Sequence, residues 1–162
     1  MDSFESLLNA ANLMKMNLEE AILKLLYQNY GKPFLLESRI KSVDKIKLKQ
    51  KLQIKKGYVG SINCLVPDII GFRISVDCEQ DIEDVKKIFS QNWNDFGEHI
   101  CMVFDYIKNP KSSGFKAITL QYRVVSDFSR EIPYEIQIMT KQMRDWTNKT
   151  HLEYDKKKYK GL

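Results

Sequence analysis

The chain has 162 residues, 43% of them hydrophobic and 29% charged, which fits one compact globular unit and excludes wholesale disorder. No stretch approaches the ~18 apolar residues of a membrane span, and the N-terminal MDSFESLLNAANLMK lacks the basic start and cleavage site of a secretory signal. Three scattered cysteines (Cys64, Cys78, Cys101) and two histidines offer neither a disulfide framework nor an obvious zinc cage, so a soluble, reduced, cytoplasmic protein is expected. The net charge of +5 favours anionic partners such as nucleotides, RNA or acidic surfaces, although a general lysine bias would produce the same total.

In chain order, residues 1–30 read as helical: Leu7, Ala11, Met14, Leu18, Ala21 and Leu25 recur at spacings of four and three. Asn17 followed by Glu20 has the form of a capping box and points to a break near Met16. Asn29-Tyr30-Gly31-Lys32-Pro33 stops the pattern, Phe34 to Ile40 reads as extended, and Val43 to Lys55 as helical. Asp68 to Val76 is an isoleucine-rich strand introduced by Pro67, followed by a helix over Gln80 to Ser90. His99 to Ile107, Ala117 to Val125 and Tyr134 to Thr140 are three further strands, and Lys141 to about Tyr159 is helix. The expected class is α+β, a mixed sheet of about five strands with flanking helices in one domain spanning 1–162.

Neither G-x-G-x-x-G nor G-x-x-x-x-G-K-[ST] is present, but three other features stand out. Asp68 and Glu135 are acids set in otherwise apolar strand sequence. Either one, at a wet strand end, would simply cap the chain; together they could converge on Mg²⁺, which takes a few carboxylates plus phosphate oxygens. The segment from Tyr106 to Lys116 is a turn-rich loop carrying Lys108, Lys111, Lys116 and Phe115, suited to holding phosphates while stacking a base, though any hairpin loop carries solvated lysines. Arg39 and Lys41 share a face of an extended segment, and Lys45 and Lys49 share a face of the helix after it. The stretch from Arg39 to Lys56 holds further lysines at 47, 51, 55 and 56 against Asp44 alone, a pattern that a solvated basic helix would also give, and Lys156-Lys157-Lys158-Tyr159-Lys160 forms a second basic run.

Four segments, in order, resemble the synthetase domain of the RelA/SpoT alarmone family: Arg39-Ile40-Lys41-Ser42, Asp68-Ile69-Ile70-Gly71-Phe72-Arg73, Asn109-Pro110-Lys111-x-x-Gly114-Phe115-Lys116, and Glu135-Ile136-Gln137-Ile138. Met143, Trp146, His151 and Tyr154 fit the helix that follows in that family. The resemblance covers roughly residues 35–160, the expected catalytic core, and a chain of this length is similar to the stand-alone small alarmone synthetases. It implies a nucleotidyltransferase-like fold and an Mg²⁺-dependent enzyme that moves the β,γ-pyrophosphate of ATP onto the 3′-hydroxyl of GDP or GTP, making a (p)ppGpp-type alarmone and AMP.

The same resemblance implies the roles. Arg39 and Arg73 would sandwich the adenine, and Lys41, Lys45 and Lys49 would bind the ATP phosphates. Asp68 would hold the metal, with Glu135 sharing it or accepting the 3′-hydroxyl proton. Phe115 would stack on the acceptor base, with Lys111, Gly114, Lys116, Gln137 and His151 completing the acceptor side. The sequence departs from the family pattern at Phe115 for Tyr, Thr119 for His, Met139 for Arg and Lys45 for Ser. All but the last fall on the acceptor side, which leaves open a toxin-like member that modifies adenine nucleotides or the 3′ end of tRNA. A degenerate module that binds nucleotide or a partner protein without turnover is the third reading, and a module of that kind has no need of both acids. Self-association is open as well.

Overall fold

The computed structural model describes residues 3–92, 99–126 and 131–162, with the side chains of Ser3 and Tyr154 outside that description. In chain order the elements are α1 (Ser3–Asn29), β1 (Leu35–Ile40), α2 (Val43–Lys55), α3 (Ile62–Leu65), β2 (Ile70–Val76), α4 (Glu79–Gln91), β3 (Ile100–Asp105), β4 (Ile118–Arg123), β5 (Tyr134–Thr140) and α5 (Lys141–Lys158). The five strands form one mixed sheet in the order β1-β2-β5-β4-β3. Only the central β2–β5 pair is parallel among its four neighbour pairs, so the expected mixed sheet is the one observed.

Period-two alternation separates the two faces of this sheet. Phe72 and Ile74 of β2, Leu120 and Tyr122 of β4 and Ile136 and Ile138 of β5 are buried in one cluster with Leu18, Ile22 and Leu26 of α1 and Ile82, Val85 and Phe89 of α4. Tyr122 and Tyr134 stack within it at 4.5 Å. This apolar layer holds the sheet rigid and leaves its opposite face for polar residues.

Three sequence expectations change. Helix α1 runs unbroken through Asn17, because Ala11, Leu18, Ile22 and Leu25 bury one continuous stripe that a break would interrupt. Asp68 is not on a strand: β2 starts at Ile70, and Pro67-Asp68 form the turn that enters it. The short α3 carries too few residues to show a period and was not expected from the sequence.

Candidate active site

The polar face of the sheet is organised in two rungs across four strands. Glu37, Arg73, Gln137 and Thr119 lie in register on β1, β2, β5 and β4, and Arg39, Gly71, Glu135 and Gln121 form the next rung. Period-two alternation therefore collects most of the functional residues expected from the sequence onto one surface. The Arg39 side chain lies over Gly71, where a Cβ would stand 3.4 Å from the Arg39 Nε, at ordinary van der Waals contact.

At the end of β1 the chain places Lys41, whose backbone N–H donates to the Ile69 carbonyl and ties it to the turn bearing Asp68. Ser42 then caps α2 by accepting from the Lys45 N–H, which fixes the helix so that Lys49 faces the same point. The result is a buried carboxylate in a cationic cage: Asp68 lies 2.7 Å from Lys49 Nζ, 3.2 Å from Lys41 Nζ and 3.9 Å from Arg39 Nη2. Burial alone would raise the Asp68 carboxyl, but Lys49 and Lys41 hold it well below the usual carboxylate range. Burial pushes the Lys41 ammonium down, against the pull of Asp68.

Glu135 is half-buried and held by amides rather than cations: Gln137 Nε2 donates to it at 2.9 Å and Gln121 Nε2 at 3.3 Å. Arg123 in turn donates to the Gln121 oxygen, which orients that amide toward Glu135. A carboxylate fixed this way keeps lone pairs free for a metal ion or a hydroxyl proton. Thr119 sits beside Gln137 in the cleft wall, buried, with a hydroxyl that has no hydrogen-bond partner among the described residues.

Helix α5 walls the cleft through one polar stripe at helical spacing. Arg144 binds Glu37 through both of its carboxylate oxygens. Asn148 Oδ1 accepts from Arg73 at 3.1 Å, while Arg73 Nε donates to Gln137 at 3.2 Å. Asp155 lies 3.0 Å and His151 Nε2 3.3 Å from Lys45 Nζ, so Lys45 turns to α5 rather than to Asp68. Lys158 completes the stripe half-buried at the cleft, its ammonium pushed down to about 7 by burial and by Lys49 and Lys41.

Opposite α5, the β3–β4 loop folds as a tight turn in which the Gly114 N–H donates to the Lys111 carbonyl at 2.8 Å. Gly114 has φ +90°, and a Cβ there would meet the Trp146 ring at 3.0 Å, so its hydrogen is required on both counts. Phe115 does not fill the core: it lines the cleft edge-on to Tyr106, 6.1 Å away, and Tyr106 and Phe104 come close to parallel at 5.8 Å. Lys111 Nζ sits 4.8 Å from the Tyr106 ring centre and 5.4 Å from that of Phe115.

These parts enclose one cleft of about 970 Å³. It gathers both acids, the five donor-side cations Arg39, Lys41, Lys45, Lys49 and Arg73, and Lys111, Phe115, Gln137 and His151. Gly114 and Lys116 do not line it and face a smaller cavity of about 420 Å³ beside Trp146 and Cys78. Met139 lies fully buried and also outside the cleft lining. Sequence reasoning missed Glu37, Gln121, Tyr106, Asp155 and Lys158. The strand alternation that puts Glu135 and Gln137 on one face also marks Glu37 and Gln121, and the spacing of α5 residues marks Asp155 and Lys158. Among the described residues no three His, Cys, Asp or Glu side chains gather as a metal cage.

A family model described as the region found in RelA/SpoT proteins matches residues 38–159. A GTP pyrophosphokinase family protein from Streptococcus pneumoniae is 25% identical with a TM-score of 0.68, over 97% of this chain and 80% of its own. Small alarmone synthetase 1 from Bacillus subtilis, bound to its product pppGpp, is 28% identical with a TM-score of 0.62, over 91% of this chain and 76% of its own. Small alarmone synthetase 2 from the same organism is 25% identical with a TM-score of 0.63, over 91% and 79%. No curated protein sequence matches the chain at a comparable level. The family region contains every cleft-lining residue except Glu37, and the chain belongs to the RelA/SpoT family, as an enzyme of the alarmone-synthetase type.

Proposed function

We propose that the cleft transfers the β,γ-pyrophosphate of ATP to the 3′-hydroxyl of a guanine nucleotide, GDP or GTP, releasing AMP. The observation that carries this reading is the juxtaposition of the caged Asp68 with Glu135 in one cleft whose other charged lining is mainly cationic. A polyphosphate is the ligand such a cage fits, and a hydroxyl nucleophile is what the amide-held Glu135 is built to receive. The product-bound Bacillus subtilis relative supports the guanine acceptor.

On this reading Arg39 and Arg73 hold the adenine by their guanidinium planes, and Lys41 and Lys49 meet the phosphates. The acceptor base stacks on Phe115, while Lys111 and Thr119 stand beside it to donate hydrogen bonds. Glu135 takes the proton as the 3′-oxygen bonds to the β-phosphorus and the bridge to the α-phosphate breaks. Two carboxylates with phosphate oxygens match the set Mg²⁺ takes, so Asp68 and Glu135 would hold it, where it supplies charge neutralisation of the transferring group. Lys49 and Lys41, now on Asp68, would then shift onto phosphate oxygens.

The test is AMP release from ATP with Mg²⁺, offering GDP, GTP, ADP, ATP and tRNA in turn. Turnover with GDP or GTP is expected. Turnover only with adenine nucleotides or tRNA would replace the guanine acceptor, and nucleotide binding without AMP under every condition would leave a binding module.

A further inference from the structure

Glu135 is the centre of a chain of side chains that crosses the polar face of the sheet. On one side Gln137 Nε2 donates to Glu135 Oε1 at 2.9 Å, and Arg73 Nε donates to the Gln137 oxygen at 3.2 Å. The other side repeats the arrangement. Gln121 Nε2 donates to Glu135 Oε2 at 3.3 Å, and Arg123 Nε and Nη2 donate to the Gln121 oxygen at 2.9 and 2.5 Å. The order is arginine, amide, carboxylate, amide, arginine.

A glutamine amide is ambiguous by itself, because its oxygen and its NH2 exchange places on a half-turn of the terminal torsion. The NH2 end donates to a carboxylate, whereas the oxygen end would repel it. An arginine removes the ambiguity, since its N–H groups donate and accept nothing. Arg123 sends two of them to one oxygen, which occupies both lone pairs and leaves the Gln121 NH2 for Glu135. The strand register sets the same geometry: Glu135 stands opposite Gln121 on β5, Met102 stands opposite it on β3, and Arg123 follows two residues on along the same face. A surface glutamine that merely met water would need no guanidinium, because water satisfies either orientation. Ordering the long arginine side chain costs rotamer freedom, and what it fixes is the end of the amide that meets Glu135.

Resting on the role of Glu135 as proton acceptor proposed above, we infer that Arg123 is a positioning residue for the transfer step. It lies outside the cleft lining and acts through Gln121. One donor on each oxygen stops the Glu135 carboxylate from turning about its own bond, so its free lone pairs keep one direction for the acceptor hydroxyl. Arg73 makes the matching contact to Gln137 but is also assigned to the adenine. Arg123 is therefore the arm of the chain whose loss touches neither nucleotide.

The experiment is steady-state AMP release from ATP and Mg²⁺ with GDP or GTP as acceptor, together with Tm, on the full chain. Arg123→Met should lower kcat about tenfold or more, while KM for both nucleotides and Tm stay near wild type. Arg123→Lys keeps a donor for the amide oxygen and should recover part of the loss. Gln121→Met should lower kcat to a similar degree, and adding Arg123→Met to it should cost nothing further, because Arg123 acts through that amide. Wild-type kcat in Arg123→Met, or losses that multiply in the double variant, overturn the assignment. A fall in kcat that comes with a fall in Tm and is not relieved by Arg123→Lys overturns it too, as the mark of a structural role. Should Arg123→Met not fold, Arg123→Gln decides: its amide can accept as well as donate, so kcat should fall as in the Met variant, and wild-type kcat refutes the proposal. Glu135→Gln separates the two levels. If it keeps transfer, the proton-acceptor reading fails and the inference with it; if it loses transfer while Arg123→Met turns over normally, only the role of Arg123 falls.

Discussion

Asp68 and Glu135 are both carboxylates of one cleft, and their surroundings give them different substitution costs. Asp68 is the counter-ion of the buried Lys41, so Asp68→Asn removes the charge that makes burial of that ammonium tolerable. Breaking such a pair costs about 3–5 kcal/mol, and the variant should lose thermal stability together with activity. Because its carboxyl is held below the usual range, Asp68 contributes stability that is present above its unfolded pKa and is lost as pH falls through its depressed folded value. Among the described residues, Glu135 is held by the Gln137 and Gln121 amides. Glu135→Gln should therefore keep the melting temperature near wild type while transfer falls by about 10²–10⁴-fold, the range for a lost general base. Transfer surviving in Glu135→Gln would remove that carboxylate from the mechanism. Lysine at Arg39 or Arg73 keeps the charge without the planar guanidinium, and should weaken ATP binding by about 0.5–2 kcal/mol each. Unchanged ATP affinity in both would assign these arginines to the α5 and Asp68 contacts alone.

The β3–β4 loop carries the acceptor assignment as a unit, and it joins two kinds of residue. Phe115 presents its ring to the cleft while Gly114 keeps the turn against Trp146. Phe115→Ala should lose about 1–3 kcal/mol of acceptor binding with ATP binding nearly unchanged, whereas Phe115→Tyr keeps the stacking face and should be tolerated. Gly114→Ala should instead weaken acceptor binding and lower stability together, since it strains the backbone at φ +90° and pushes on Trp146. If Phe115→Ala lowered stability and weakened both nucleotides equally, its ring would be a loop anchor. The contrast also shows what was legible in the sequence. Alternation and helical spacing exposed the strands, α2, α4 and α5, because burial imposes those periods directly. The loop's glycine could be located by motif, but its role against Trp146 depends on α5, some thirty positions later in the chain. Asp68 read as a strand residue because its apolar neighbours continue into β2, while Pro67 keeps the carboxylate in the turn. Lys45 was grouped with Lys49 by spacing, and only the packing of α5 turned it to Asp155.

At the scale of the whole molecule, the fold divides its labour between the faces of the sheet. The apolar face, sealed by α1 and α4, supplies the burial that offsets ordering the chain. The polar face spends part of that stability on concentrating cations between α2, α5 and the β3–β4 loop. Such a cleft is self-repulsive without an anion, so its ligand should stabilise the fold well beyond what local contacts at α2 would give. By linkage, a ligand present at a hundred times its Kd adds about 2.7 kcal/mol, which for a chain of this size raises Tm by roughly 5–10 °C. ATP and inorganic tripolyphosphate should both produce this shift, AMP much less, and Glu135→Gln should retain it because its loss falls on the transfer step. Raising the salt concentration should lower both the affinity and the shift, since mobile ions screen the same charges. A Tm that does not respond to either polyphosphate at low salt would mean that the cationic cleft is balanced within the protein itself, chiefly by Asp68, Glu37 and Asp155, and is not waiting for an anion.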